Sequence, residues 1–183
     1  VDLLNHGYEV VSIDSNIRSK SSTAELIFII TGKRMRNYAI DLCDKEAVKK
    51  VFEAEGKFDG IIHFAAYKAV GESVENPLLY YENNLFSLIN LLKCVKDFHV
   101  PHFVFSSSCT VYGNPDTIPV TEETPRKQAE SPYGLTKQMG EQMIESFAAS
   151  NQHTQSILLR YFNPAGAHET ALIGELPIDI PQN

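Results

Sequence analysis

The sequence has 183 residues, 43% of them hydrophobic and 21% charged, which is typical of a globular protein that buries one core. Its net charge of -7 excludes the basic surface that nucleic acids or anionic membranes require. The longest apolar run, around residues 26–30, is far shorter than the ~20 residues of a transmembrane helix, and nothing at the start reads as a signal peptide. We therefore expect a soluble, cytoplasmic protein with one domain and no nucleic-acid or membrane partner.

Short apolar runs alternate with helix-length amphipathic segments along the chain. Strands are predicted at residues 9–13, 38–40, 60–64, 102–105 and 156–160. Helices are predicted at residues 44–55, 77–98 and 131–149. Residues 17–36 fit either a buried helix turn or a strand, and we favour a helix. Strands and helices that alternate in this way pair in parallel through right-handed crossovers, so we predict a doubly wound α/β sheet.

The segments outside this pattern carry their own signals. Residues 1–7 read as the last turns of a helix that closes at Gly7, before a strand that ends at Asp14. Residues 114–130 contain three prolines and predict a long loop, which in a compact domain is more often functional than idle. Residues after 167 show little periodicity, and we expect no separate fold there.

A tyrosine and a lysine stand four residues apart in the run Ser-Pro-Tyr-Gly-Leu-Thr-Lys, at Tyr133 and Lys137. On a helix these residues share a face, so the Lys137 ammonium can lie beside the Tyr133 phenol and lower its usual pKa of about 10. A tyrosine that ionises near neutrality can act as a general base. An exposed pair on a helix surface has the same spacing, so the two residues alone do not distinguish a catalytic pair from a surface pair.

Three hydroxyl side chains, Ser106, Ser107 and Ser108, follow each other at the end of a predicted strand. Hydroxyls are costly inside a core unless each finds a partner, so a structural serine cluster is one interpretation. The other is that one hydroxyl, lying near Tyr133, hydrogen-bonds a substrate oxygen. The order of the strands, the serines and the Tyr133/Lys137 pair together favour an active site for hydride transfer.

Residues at the ends of other predicted strands suggest a dinucleotide. Asp14 occupies the position at which a dinucleotide fold hydrogen-bonds the adenosine ribose. Asp41 would lie near an adenine, or, equally well, would cap a helix together with Asp44. Small side chains after Phe64, at Ala65 and beyond, would let a flat cofactor approach the backbone, although small residues also simply pack well.

The cysteines and histidines show no metal-binding pattern. Cys43, Cys94 and Cys109 are widely spaced, and we interpret them as reduced thiols. His63 lies inside an apolar run, where a core histidine is a better interpretation than a ligand. We predict no metal site.

Five stretches give the chain a resemblance to a known family. They are residues 62–74, 80–84, 106–113, 131–137 and 159–168. In order and content they resemble the extended short-chain dehydrogenase/reductase superfamily and, within it, the UDP-glucose 4-epimerase family. The resemblance covers nearly the whole chain, with residues 17–36 matching poorly.

This resemblance implies interconversion of UDP-glucose and UDP-galactose with a tightly held NAD, through a transient 4-keto sugar. It implies that Tyr133 takes the proton of the 4-hydroxyl, that Ser108 hydrogen-bonds the 4-oxygen, and that Lys137 binds nicotinamide ribose and lowers the Tyr133 pKa. It also implies a homodimer through the helices at residues 77–98 and 131–149. Positions that match NAD contacts, besides Tyr133 and Lys137, are Asp14, Asp41, Leu42, Phe64, Ala65, Lys68, Asn83 and Phe162. Asn163, like Ser108 and Tyr133, matches a UDP-sugar contact.

Several departures from the family pattern qualify these expectations. Related dehydratases carry an Asp-Glu pair where this sequence has Cys109 and Thr110, so dehydration is disfavoured. No glycine-rich phosphate loop occurs in the sequence, and most of the expected UDP pocket is missing. We therefore expect a fragment, with a partial NAD-binding domain at residues 1–167 and the start of a substrate-binding region at 168–183. The alternatives are another NAD-dependent nucleotide-sugar oxidoreductase or decarboxylase, and an inactive truncated chain.

Overall fold

The structure is a computed structural model that describes residues 1–174. These residues form two compact units, one of residues 43–162 and one of residues 1–42 with the segment from 163 onward. Each unit contains its own parallel sheet, of three and two strands respectively. The expected parallel α/β architecture is confirmed, with flanking helices in both units.

The smaller unit begins with helix α1 (Asp2–Asn5), followed by β1 (Val11–Ile13), α2 (Thr23–Thr31) and β2 (Arg36–Tyr38). Helix α1 closes as predicted, since Gly7 adopts a φ of +89° and its N–H donates to the Leu4 carbonyl. Helix α2 confirms the preference for a helix in residues 17–36. Strand β2 lies two residues earlier than the predicted 38–40, because Arg36–Tyr38 pairs in register with β1.

The larger unit begins with α3 (Lys45–Glu55), β3 (Ile61–His63), α4 (Val70–Glu75) and α5 (Pro77–Asp97). It continues with β4 (His102–Ser108), a 3₁₀ turn (Cys109–Tyr112), α6 (Pro132–Ser150) and β5 (Gln155–Tyr161). The strands are parallel, with β4 between β3 and β5. The long loop predicted at residues 114–130 is confirmed. Helix α4 was not predicted, because six mixed residues carry too little periodicity to indicate a helix.

Helices and sheet of the larger unit meet in one apolar core. Its fully buried members come from α3, α5, β4 and α6: Val48, Phe52, Tyr80, Leu88, Val95, Phe103 and Ile144. Strand β4 runs through Ser108 and past the predicted end at residue 105, because its last residues pair with β5 up to Ser108 opposite Tyr161. The serines thus remain in the sheet, and their hydroxyls need partners in the neighbouring helices.

Beyond residue 167 the described chain forms one antiparallel bridge, between Ala167 and Gly174. The predicted boundary at residue 167 and the expectation of no separate fold for the tail concern mainly residues 175–183, which lie outside the described residues.

Candidate active site

The three serines at the end of β4 each have a different partner. The Ser106 carbonyl accepts a hydrogen bond of 2.7 Å from the Lys137 Nζ. The Ser107 hydroxyl donates to the Glu141 carboxylate at 2.5 Å. The Ser108 hydroxyl accepts from the Thr110 backbone N–H at 3.2 Å, which caps the 3₁₀ turn, and lies close enough to the Tyr133 phenol to lower its pKa. The serine run is therefore the junction between the sheet and α6.

The residues of α6 that contact the three serines lie on one face of the helix. Its N-terminus is set by Ser131, whose hydroxyl accepts from the Gly134 N–H, and by Pro132 at the first turn. From there Tyr133, Lys137 and Glu141 follow at intervals of four residues, so all three point toward the end of β4. The predicted convergence of Ser108, Tyr133 and Lys137 is thus what the structure contains.

Lys137 is a buried cation. Its side chain is only 5% exposed, and Nζ lies 4.9 Å from the centre of the Phe105 ring and 5.8 Å from that of Tyr133. Burial lowers the pKa of Lys137 from 10.5 to about 8, because the charged form loses its water. The amine is therefore poised to change protonation state close to neutral pH.

The expected effect of Lys137 on Tyr133 is wrong for the structure as it stands. Burial raises the pKa of the Tyr133 phenol, a hydrogen bond from Ser108 opposes this in part, and Cys109 raises it further. Lys137 is not among the causes, since its ammonium is directed to the Ser106 carbonyl. The phenol is thus held protonated, and its ionisation requires a cation closer to its oxygen.

His63 ends β3 beside this cluster. It is buried, stacks on Phe105 with ring centres 5.9 Å apart, and has its pKa lowered to about 3 by burial and then by Lys137. His63 is accordingly a neutral core residue, as predicted. Among residues 1–174, no three His, Cys, Asp or Glu side chains are grouped to hold a metal ion.

A buried asparagine ties the segment after β3 to both neighbouring helices. The Asn84 side chain accepts from the Tyr67 backbone N–H at 2.8 Å and donates to the Tyr67 carbonyl at 3.0 Å. It also donates to the Thr136 hydroxyl, which in turn donates to the Tyr133 carbonyl at 2.7 Å. This polar chain runs from α5 to the residue that precedes Lys137, and sequence reasoning missed it.

The other predicted contact residues divide between the two units. In the larger unit, Phe64 and Phe162 follow β3 and β5 and are each 62% exposed, while Ala65 and Lys68 are exposed and Asn83 is half-buried. In the smaller unit, Asp14, Asp41 and Asn163 are exposed and Leu42 is buried. The Asp14 carboxylate accepts hydrogen bonds from the Asn16 N–H and the Ser19 hydroxyl. Asp44, not Asp41, caps α3.

Two further features concern the cysteines and the helices. Cys43, Cys94 and Cys109 form no disulfide with one another. Within residues 1–174, every helix is too short or too polar to cross a bilayer.

Parallel α/β folds bind dinucleotides beyond the carboxyl ends of their strands, and Ser108, Tyr133 and Lys137 lie at such an end in this chain. A model of the NAD dependent epimerase/dehydratase family matches residues 1–176. The chain therefore belongs to the NAD dependent epimerase/dehydratase family.

Individual relatives carry a more specific name. UDP-glucose 4-epimerases of Caenorhabditis elegans and Bacillus subtilis are 46% and 47% identical to this chain over its whole length. The chain covers 55% and 53% of these two proteins, so it spans about half the length of the curated relatives it matches. A crystal structure of the Bifidobacterium longum UDP-glucose 4-epimerase with NAD+ and UDP matches this chain with a TM-score of 0.96 and 46% identity. The match covers all of this chain and 54% of the Bifidobacterium longum chain.

Proposed function

We propose that this chain is the NAD-binding half of a 4-epimerase that interconverts UDP-glucose and UDP-galactose. The observation that carries the proposal is the meeting of Ser108, Tyr133 and Lys137 at the end of β4, in a chain nearly half identical to named UDP-glucose 4-epimerases. The proposal assigns residues 1–167 to a partial NAD-binding domain and residues from 168 onward to the start of the substrate-binding region.

The three residues have separate roles in the proposed reaction. Tyr133, in its ionised form, accepts the proton of the sugar 4-hydroxyl and later returns it. Ser108, at the same strand end, hydrogen-bonds the 4-oxygen. Lys137, whose Nζ lies 5.8 Å from the centre of the Tyr133 ring, is the cation that would favour the ionised phenol once its ammonium turns from the Ser106 carbonyl toward the phenol oxygen. NAD, when bound, supplies a reversible acceptor for the hydride on C4, so the sugar is oxidised and then reduced with inversion at that carbon.

The residues present fit such a cofactor. Asp14 offers a carboxylate at the carboxyl end of β1, the position that suits ribose hydroxyls. In the larger unit, the exposed Phe64 and Ala65 leave the end of β3 open to a flat ring, and Lys68 and Asn83 add polar groups nearby in the chain. Leu42, Asp41 and Phe162 complete the proposed NAD contacts, and Asn163 is proposed to contact the UDP-sugar.

The test is a chimera in which residues 1–183 replace the corresponding half of the Bifidobacterium longum enzyme, which matches this chain over its whole length. We expect the chimera to convert UDP-galactose to UDP-glucose with no net consumption of NAD. Chromatography of the nucleotide sugars measures the conversion. A decarboxylated product from UDP-glucuronate, or net NADH formation, would instead indicate another oxidoreductase of the family. No turnover with NAD bound would overturn the proposal.

The 183-residue chain alone is expected to bind NAD weakly and to turn over little substrate, because its sequence contains no glycine-rich phosphate loop. Purification followed by measurement of bound nucleotide checks this. Stoichiometric NAD retained by the chain would contradict it.

We also propose a homodimer through α5 and α6. An apolar groove between these helices is lined by Ile89, Leu92, Met139, Met143 and Phe147. Lys93 and Lys96 also line the groove, so a further positive charge there should oppose association. Light scattering on the chimera should give a dimer, and Met143→Lys should give a monomer; a monomer before substitution would contradict the proposal. We also propose a cytoplasmic location, since three widely spaced cysteines fit a reducing compartment.

A further inference from the structure

One carboxylate on α6 has no part in the proposed chemistry and yet is completely buried. Glu141 follows Lys137 by one turn and has no solvent exposure. A buried carboxylate without partners would be neutralised or would destabilise the fold, so its partners show what it does.

Four hydrogen bonds satisfy the Glu141 carboxylate. Oε1 accepts from the Ser107 hydroxyl at 2.5 Å and from the Arg160 Nε at 3.0 Å. Oε2 accepts from the Arg160 Nη2 at 2.9 Å and from the Arg126 Nη1 at 3.0 Å. Burial raises the pKa of Glu141. The hydrogen bonds from Arg160 and Ser107 lower it by more than burial raises it, so the pKa lies below the ordinary value. The group is therefore an ionised carboxylate in a bidentate ion pair.

These partners come from several elements near the carboxyl ends of β4 and β5. Ser107 on β4 and Arg160 on β5 are direct partners in the register of the two strands. Arg126 lies in the long loop at residues 114–130, and Arg160 also donates to the Tyr112 hydroxyl at 3.2 Å. The Glu141 carboxylate thus joins α6 directly to two strands and the loop. Through Arg160 it is also linked to the 3₁₀ turn.

Other contacts also join α6 to β4. The Lys137 Nζ donates one hydrogen bond to the Ser106 carbonyl, and Gly140 lies so close to the Phe105 ring that a Cβ there would come within 2.8 Å of its Cζ. A fork of two N–H groups on a carboxylate fixes orientation as well as distance. Glu141 therefore supplies the most directional contact between α6 and the ends of β4 and β5.

We propose that Glu141 is a positioning residue, whose ion pair with Arg160 and hydrogen bond to Ser107 hold α6 at the register that brings Tyr133 and Lys137 to Ser108. The functional meaning of this role rests on the proposed epimerase activity, but the role itself is a property of the folded chain. If Glu141 has this role, weakening its contacts with Arg160 and Ser107 admits water to the neighbouring Lys137 amine even while the chain stays folded.

The test measures how the reactivity of Lys137 depends on pH in the purified 183-residue chain. Competitive acetylation with acetic anhydride, read by mass spectrometry of the Lys137 peptide, gives the pH at which this amine loses its proton. Glu141→Gln keeps the shape but removes the charge, and Ser107→Ala removes one hydrogen bond and keeps the ion pair. Glu145→Gln is the matched control, because Glu145 also contacts Arg126 but lies one turn further on and is partly exposed. None of these changes replaces His63 or Tyr133, which are titratable groups near Lys137.

In the wild-type chain we expect Lys137 to titrate near pH 8. In Glu141→Gln the limiting rate of acetylation above this midpoint should rise several-fold, because the amine becomes open to the reagent, with a smaller rise in Ser107→Ala and none in Glu145→Gln. The limiting rate is the readout because loss of the Glu141 anion by itself lowers the Lys137 pKa, whereas entry of water raises it. If Glu141→Gln fails to fold, the result for Ser107→Ala decides. An unchanged limiting rate in the folded variants would overturn the proposal. Because labelling needs neither cofactor nor sugar, its outcome is independent of whether the chimera is an epimerase.

Discussion

Replacing Lys137 by methionine tests the buried cation directly. Methionine has a similar length and is apolar, so it fills the same space beside Phe105 without bringing a charge into the core. The change also removes the hydrogen bond to the Ser106 carbonyl, which shifts stability by a constant amount at every pH. The dependence of the difference on pH therefore isolates the titration of the amine.

The size of the effect follows from the two pKa values. The folded state releases the Lys137 proton at about pH 8, and the unfolded chain releases it at 10.5. Between these values the unfolded state binds more protons, so the free energy of unfolding rises with pH. Burial of the charge costs about 3 kcal/mol at neutral pH, and about 2 kcal/mol of this is recovered between pH 8 and pH 10.

Urea unfolding followed by circular dichroism measures this at several pH values between 7 and 10. The stability of the wild type relative to Lys137→Met should increase by about 2 kcal/mol from pH 8 to pH 10. Lys50→Met, an exposed change on α3, is the control and should show no such trend. A difference between wild type and Lys137→Met that stays constant, or falls as pH rises, would refute a buried, charge-penalised Lys137.

Three further changes test the packing around the site by the same unfolding assay. Gly140→Val should destabilise by about 1–3 kcal/mol because the new side chain meets the Phe105 ring, whereas Gly71→Ala, with nothing within 4 Å, should not; equal effects would contradict this contact. Asp44→Ala should cost about 1 kcal/mol, since the aspartate caps α3 through two backbone N–H groups, and no loss would argue against the cap. Asn84→Ala should cost about 1–3 kcal/mol by removing the hydrogen bonds of this buried side chain to the Tyr67 backbone and the Thr136 hydroxyl, and a neutral result would contradict their contribution.

Local sequence patterns predicted the elements that carry their own signals. Helix α6 begins where Ser131 and Pro132 indicate a cap, and its spacing brings Tyr133 and Lys137 to one face. Gly7 closes α1 because its positive φ suits glycine. Strand β2 was displaced by two residues, since the register is set by pairing with β1, which the sequence of the strand itself does not reveal.

Features that depend on tertiary contacts could not be predicted in this way. Arg160 follows the apolar residues 157–159 of β5, and only the fold shows that its partner is Glu141. The signal that could have pointed to Glu141 is its position four residues after Lys137, on the face already assigned to the site. The pKa of Tyr133 was predicted in the wrong direction, because helix spacing indicates that Lys137 is near but not that its ammonium is directed to Ser106.

The most direct test of the central claim is Tyr133→Phe in the chimera, with bound NAD and epimerisation of UDP-galactose measured side by side. The substitution removes one oxygen and keeps the ring, so NAD should remain bound while epimerisation falls by about 10²- to 10⁴-fold, the usual contribution of a positioned general base. Epimerisation within a few fold of the wild-type chimera, with NAD still bound, would contradict the account.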